Sequence, residues 1–465
     1  MRKKSLLALL LAMTLLLSGC ALIVKDKAVD DATVIIRMGD QTITKAKVNE
    51  EVENQLDSME SYYYSYYGQR IDRTNPEIVA DAQEAAVADL KQDLALTAKA
   101  KELGLDQLTP EEEKEAEESA ETSYSGAMDY VKTYLLADSG LEGEALDKAA
   151  EEELAKMGVT KDVYLEAARR TTADNKLRQY AIEGVTVTDE EIQETFDSRV
   201  ESDKSLYGER PGSYATAVNN DTTVYYVPAG VRRVKQILTK FKDEDQAAID
   251  EANQALTEAN SQVDAAQAKI DAANAILHPD GQEATATDLP EEDLAQQEAN
   301  LAAAQKELED AKAAQAAAQK AVDDATNKAF ENIDADADAI LAALDAGEDW
   351  DKLMEEKNQD PGMKTHTKGY AVAADMTGFD PAFVQAAMAL EKPGDHSGKV
   401  RGTSYGYYII RYDSDEPEGP VQLEDVKEVI SSSLQTTKEN QAYSDAITKW
   451  VEEAGITVDM NALKD

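Results

Sequence analysis

"AGVRRVKQILTKF", residues 229–241, and "ILAALDAGEDWDKLMEEKNQDPG", residues 340–362, belong together only once the segment between them is read. From 243 to 329 the chain changes character. Ile249, Leu256, Val263, Ile270 and Leu277 recur every seven residues, and Ala252, Ala259, Ala266 and Ala273 follow three positions later. After the break "HPDGQEATATDLP" (278–290) the period returns in Leu294, Leu301, Leu308, Gln315 and Val322, with Ala304, Ala311, Ala318 and Ala325. This pattern, with a small residue at the second core position, predicts a close-packed antiparallel coiled-coil hairpin. At about 1.5 Å per residue each arm is roughly 45–50 Å long. His278, just before Pro279, reads as a turn residue. Two roles stay open for the arm: a contact with a client or partner, or an insertion tolerated in a surface loop.

The amino terminus carries Arg2, Lys3 and Lys4, then an apolar run from Leu6 to Leu17, then Ser18, Gly19 and Cys20. The run is too short to span a bilayer comfortably, and the whole pattern is that of a secretory signal peptide. Leu17-Ser18-Gly19-Cys20 resembles the lipobox of bacterial lipoproteins. That resemblance implies cleavage before Cys20 and a lipid on its sulfur; the alternative is an ordinary signal peptide with an incidental cysteine. Cys20 is the one cysteine in 465 residues, so disulfides cannot staple the fold. The net charge of −46, with no basic patch, excludes nucleic acid as a partner. No metal-ligand motif is present, and no cofactor or metal is expected.

Past a polar tether, "VIIRMGDQTITKAKV" from Val34 reads as a strand, a Gly39-Asp40 turn, a return, and a helix capped by Thr44. A helix is predicted over about 76–103, with Val79, Val87, Leu90, Leu94 and Ala98 on one face and Gly104 ending it. Thr109 with Glu112, and Thr188 with Glu191, are capping boxes, the first followed by Pro110. Helical pattern continues to about 183. The cluster "SYYYSYYGQ" (61–69) has two readings. Tyrosines supply contact area at low entropic cost and suit a wall for unfolded chains. The preferred reading is an ordinary amphipathic helix end or loop with its rings partly packed.

Joined across the hairpin, the flanks carry five segments in order: Gln236-Ile237-Leu238, Gly347-Glu348-Asp349-Trp350, Asn358-Gln359-Asp360-Pro361, Gly394-Asp395-His396-Ser397 and Tyr405-Gly406-Tyr407-Tyr408-Ile409-Ile410. This order resembles a parvulin-type peptidyl-prolyl isomerase domain. With the lipobox, the helical region opening on a hairpin, and a C-terminal helix, the chain resembles the PrsA-like foldase lipoproteins. The resemblance implies that "VQLEDVKEVISSSLQ" to "AGITVDMNA" returns to complete the N-terminal domain.

The chain departs from the family at its two histidines: Gln236 stands for the first and Tyr408 for the second. The family's glycine-rich segment survives only as Lys368-Gly369-Tyr370-Ala371. His366 and His396 do not fill the matching places and read as surface or turn residues. The resemblance places a proline-ring pocket at Phe379, Phe383 and Met388, floored by Gln236 and Tyr408, with Asp360 at the acidic position. Gln and a phenol can each donate and accept, so Gln236 and Tyr408 are able to make a bond equivalent to that of the paired histidines. Plain core packing is the competing account of the three apolar residues.

The expectation is therefore an α+β multidomain chain. It comprises a signal peptide (1–19), a lipid-anchored tether (20–32), a mainly helical SurA/PrsA-like chaperone domain (33–228), a parvulin-like α/β domain (229–242 and 330–415), a coiled-coil insertion (243–329), and a C-terminal segment (416–465) packing on the chaperone domain. The expected function is a membrane-anchored, extracytoplasmic foldase for secreted polypeptides with weak isomerase activity. The alternatives are a non-catalytic holdase and, further off, an envelope scaffold. A homodimer is compatible with the sequence.

Overall fold

The computed structural model describes residues 27–278 and 290–464. Cys20, the apolar leader and most of the hairpin tip lie outside the described residues. The chain begins with α1 (Lys27–Asp31), β1 (Val34–Met38), β2 (Gln41–Thr44), α2 (Lys45–Tyr67), α3 (Pro76–Leu103), α4 (Pro110–Tyr130), α5 (Glu144–Lys156) and α6 (Lys161–Ile182). It continues through α7 (Asp189–Tyr207), α8 (Pro211–Asn219), β3 (Tyr226–Val227), β4 (Arg232–Lys240), α9 (Asp243–Leu277) and α10 (Glu291–Asp345). Then come α11 (Trp350–Lys357), β5 (Tyr370–Val372), α12 (Pro381–Ala389), β6 (Val400–Arg401), β7 (Gly406–Asp415) and β8 (Gly419–Pro420). It ends in α13 (Leu423–Glu453), β9 (Thr457–Val458) and α14 (Met460–Lys464). The architecture is α+β, as the sequence predicts. Packing divides it into two units, one of residues up to Val187 and from Ser432, the other Thr188–Ser431. The sequence expectation placed the divisions at 228/229 and 415/416.

In the first unit β9 pairs antiparallel with β1 (Ile36↔Val458), giving a three-stranded sheet in the order β2-β1-β9. Ile35 and Ile36 pack with Val48, Val52 and Leu56 of α2, with Ala82, Ala86 and Leu90 of α3, and with Leu463 of α14. The four-residue spacing on both helices is one buried stripe each. A second cluster joins Leu96, Ala100 and Leu177 to Trp450 of α13. Arg178 Nη2 donates to Asn440 Oδ1 at 2.7 Å, and Gln435 Nε2 to the Val185 carbonyl at 2.9 Å. Thr109 and Glu112 form the capping box reciprocally, Glu112 N–H to Thr109 Oγ1 at 3.2 Å and Thr109 N–H to Glu112 Oε2 at 2.7 Å. Thr44 holds the N-cap backbone conformation but makes no side-chain capping bond. The tyrosine cluster differs from the preferred reading. It finishes α2 with its rings exposed, from 46% for Tyr63 to 71% for Tyr66, because the helix end projects past the last buried residue, Leu56.

The second unit is built on an antiparallel sheet in the order β5-β4-β7-β6. In the β4–β7 register Gln236 faces Ile410, and Leu238 faces Tyr408. Side chains alternate between faces along a strand. Val234, Leu238, Tyr408 and Ile410 meet α8 and α12 on one side. Ile237 and Ile409 meet Ile340 of α10 and Trp350 and Leu353 of α11 on the other.

The hairpin has its core on the alanine stripe: Ala259, Ala266 and Ala273 of α9 and Ala304 and Ala311 of α10 are buried. Lys269 pairs with Glu307, and Gln315 Nε2 donates to Asn260 Oδ1 at 2.7 Å, which sets the antiparallel register. The arm does not stop at 329. From Glu291 to Ala346 there is no Gly or Pro, so α10 runs on for 55 residues until Gly347 turns the chain with φ +86°. Its last part, through Phe330, Ile333, Ala337 and Ile340, is the helix that packs on the sheet. Among the described residues no helix is long and apolar enough to cross a membrane.

Candidate active site

A cleft of about 420 Å³ opens on the α12 side of the second unit's sheet. Gln236, Leu238 and Lys240, alternate residues of β4, point the same way into it, and Tyr408 joins them from β7. The segment before the 3₁₀ turn Pro361–Lys364 is bound to β4 beyond the stretch, Arg232–Val234, that pairs with β5. Leu238 N–H donates to Asn358 Oδ1 at 2.9 Å, Gln359 N–H to the Leu238 carbonyl at 3.0 Å, and Lys240 N–H to Gln359 Oε1 at 2.6 Å. These bonds deliver Asp360 to the floor.

Asp360 Oδ2 there accepts from Gln236 Nε2 at 2.7 Å and from the Tyr370 hydroxyl at 2.9 Å; its Oδ1 accepts from Gly362 N–H at 2.9 Å. Gln236 is 6% exposed, and its Oε1 is buried without a partner among the described residues. Burial, reinforced by Asp360, pushes the Tyr370 phenol well above its usual range, so it stays a donor.

The wall is aromatic. Tyr370, Phe379, Phe383 and Tyr408 meet edge to face in series, with ring centroids 5.2, 5.7 and 5.4 Å apart. Asp380 caps α12 through Ala382 N–H at 2.9 Å, and its other oxygen accepts from Thr403 N–H at 2.5 Å. The Tyr408 hydroxyl reaches the same oxygen at 3.5 Å, the outer limit of a hydrogen bond. Burial first, then Asp380, raises the Tyr408 phenol far above its usual range. Gly402 is required beneath this ring, since a Cβ there would lie 2.5 Å from Tyr408 Cε2.

Over 118 residues the chain is 36% identical to the Foldase protein PrsA of Clostridium botulinum (strain Hall), 25% of this chain and 34% of that protein. The chain is PrsA-like over that quarter of its length. A second PrsA, from Clostridium kluyveri, is 36% identical over 124 residues, 26% of this chain and 36% of its own. The chain thus spans about a third of the length of the curated PrsA relatives it matches. No protein-family model matches it. The crystal structure of foldase protein PrsA from Streptococcus pneumoniae is 13% identical over 93% of this chain and 97% of that one, with a TM-score of 0.21, too low to support a comparison of folds.

Five of the residues singled out in the sequence line one cleft: Gln236, Asp360, Phe379, Phe383 and Tyr408. Met388 does not line it. It packs on the same core from the end of α12, and its carbonyl accepts from Arg232 Nη1 at 3.0 Å. Five residues beyond Phe383 is about 140° around a helix, so the two cannot share a face. Nor do Gln236 and Tyr408 complete one floor bond, because each is engaged by its own carboxylate. Tyr370 and Asp380 were missed. Asp380 before Pro381 is an N-cap signature that was available in the sequence. Tyr370 was visible only within the Lys368-Gly369-Tyr370-Ala371 remnant, with nothing that marked it as a site residue.

Proposed function

We propose that this chain is an extracytoplasmic, lipid-anchored foldase and chaperone for secreted polypeptides, with a cleft that catalyses prolyl cis–trans isomerisation weakly. The single observation that carries the reading is the aromatic slot closed by the Gln236–Asp360–Tyr370 network. Under it, residues 33–228 and 416–465 form the chaperone part, 229–242 and 330–415 the isomerase part, and 243–329 an inserted arm.

The reaction needs no net proton transfer. Its barrier, about 18–20 kcal/mol, is the partial double bond of the amide. Twisting the bond takes negative charge off the carbonyl oxygen and returns a lone pair to nitrogen. A fixed carboxylate near the oxygen disfavours the conjugated ground state, and a donor near the nitrogen favours the twisted form; both act as differential binding. Asp360 and the loosely held Tyr408 hydroxyl are the lining groups with these properties. The ring slot of Phe379 and Phe383 would hold the proline.

A protease-coupled isomerisation assay on the full chain tests the reading; a rate equal to the uncatalysed one sinks it. The holdase alternative is favoured by the exposed tyrosines at the end of α2. An inactive chain that still protects an unfolded client from aggregation selects it. Anchoring is tested separately: Cys20→Ser is expected to release the protein from the membrane fraction, and an equally membrane-bound variant removes the lipid from the proposal.

A further inference from the structure

Tyr370 occupies an unusual position in the cleft: it touches both the carboxylate of the floor and the rings of the wall. The fold makes room for it at two glycines. Gly369, at φ +82°, would put a Cβ 2.6 Å from the Val234 carbonyl, so a close approach of the backbone starts β5 at Tyr370. Gly362 would put a Cβ 1.9 Å from the Tyr370 hydroxyl, so the hydroxyl reaches Asp360 through space that only a missing side chain leaves. The ring then stands at 87° to Phe379, whose own ring packs on Phe383.

We propose that Tyr370 is a positioning residue for the isomerisation: its hydroxyl, with Gln236 Nε2, fixes the Asp360 carboxylate in one orientation against the aromatic slot. The inference rests on the isomerase reading above. Asp360 Oδ2 has two donors; remove the hydroxyl and one bond from Gln236 must hold that oxygen alone. The Gly362 N–H still holds Oδ1, but Oδ2 is left on a single donor and is no longer fixed against the slot, while the ring contacts that shape the slot stay. The phenol is kept protonated by its burial, so the donor is present throughout the neutral range.

The test uses the full chain in four forms: wild type, Tyr370→Phe, Asp360→Asn and the double variant. For Tyr370→Phe, kcat is expected to fall about tenfold with KM within about twofold, the loss of one hydrogen bond to a charged group expressed in the transition state. The melting temperature should be unchanged. Since Tyr370 acts through Asp360, the double variant should be no slower than Asp360→Asn alone. Gly362→Ala, which pushes a methyl into the hydroxyl's place, should reproduce the fall in kcat. An unchanged kcat in Tyr370→Phe, a change in KM alone, or losses that multiply in the double variant overturn the inference and leave the isomerase reading standing. A Tyr370→Phe chain that no longer melts cooperatively also overturns it, because the hydroxyl would then be holding the fold. A wild type without activity overturns both.

Discussion

Gln236 and Tyr408 lie on the same face of neighbouring strands, yet each answers to a different carboxylate: Gln236 donates to Asp360 at 2.7 Å, and Tyr408 reaches Asp380 at 3.5 Å. The slot between them has two separately anchored ends. Putting histidine at both positions is expected to leave the fold intact and to raise kcat/KM, because a histidine at 236 can still donate to Asp360 and a shorter ring at 408 frees space by Phe383. The protease-coupled assay reads it; a rate at or below wild type would mean that the two phenol- and amide-based ends already do the work.

Phe383 is 3% exposed and touches both Phe379 and Tyr408. Phe383→Ala should destabilise the second unit by about 3–5 kcal/mol and abolish proline-peptide binding. Phe383→Leu separates the two effects. It should restore most of the stability, measured by denaturant unfolding, while recovering less than half of the activity, because the edge-to-face contacts need a ring.

The base of the arm is part of the core, and the shaft is not. Phe330 packs on Phe241 and Tyr407 with centroids 4.7 and 4.8 Å apart, and Arg401 lies 4.1 Å over its ring. Phe330→Ala is expected to cost about 3–5 kcal/mol. Removing two heptads from each arm, residues 260–273 and 302–315, keeps the register and should leave thermal unfolding of the rest unchanged. A large drop in the shortened chain would show that the shaft also supports the core.

In the first unit Glu112 is held below the usual carboxylate range, first by the Thr109 N–H and then by Lys176. A carboxylate whose folded pKa is depressed adds stability above its unfolded pKa, near 4.3, and loses it as pH falls through the lower folded value. Glu112→Gln should therefore flatten the acid side of the curve of melting temperature against pH for this unit, and Thr109→Ala should cost about 1 kcal/mol at neutral pH. An acid limb identical to wild type in Glu112→Gln would remove this residue from the account.

What the sequence determined by itself is local or periodic. The capping boxes at Thr109 and Thr188 were legible because every group involved lies within three residues. The hairpin was legible because its heptads repeat, and the helix at 76–103 because Val79, Val87, Leu90, Leu94 and Ala98 recur on one face and Gly104 closes it. The ordered segments around Gln236, Asp360, Phe383 and Tyr408 were enough to expect an α/β domain split by an insertion. What only the tertiary structure decided depends on residues far apart in the chain. Tyr370 meets Asp360 because Gly369 docks β5 on β4 and Gly362 leaves a gap. Met388 turns away because the 3.6-residue period carries it off the Phe383 face. The arm continues into the domain because nothing between Glu291 and Ala346 breaks the helix, while the sheet supplies the apolar surface that makes its last turns a core element. The tyrosines of α2 stay exposed for the converse reason: among the described residues of their own unit no element covers that end of the helix, and propensity alone cannot say where a packing surface will be.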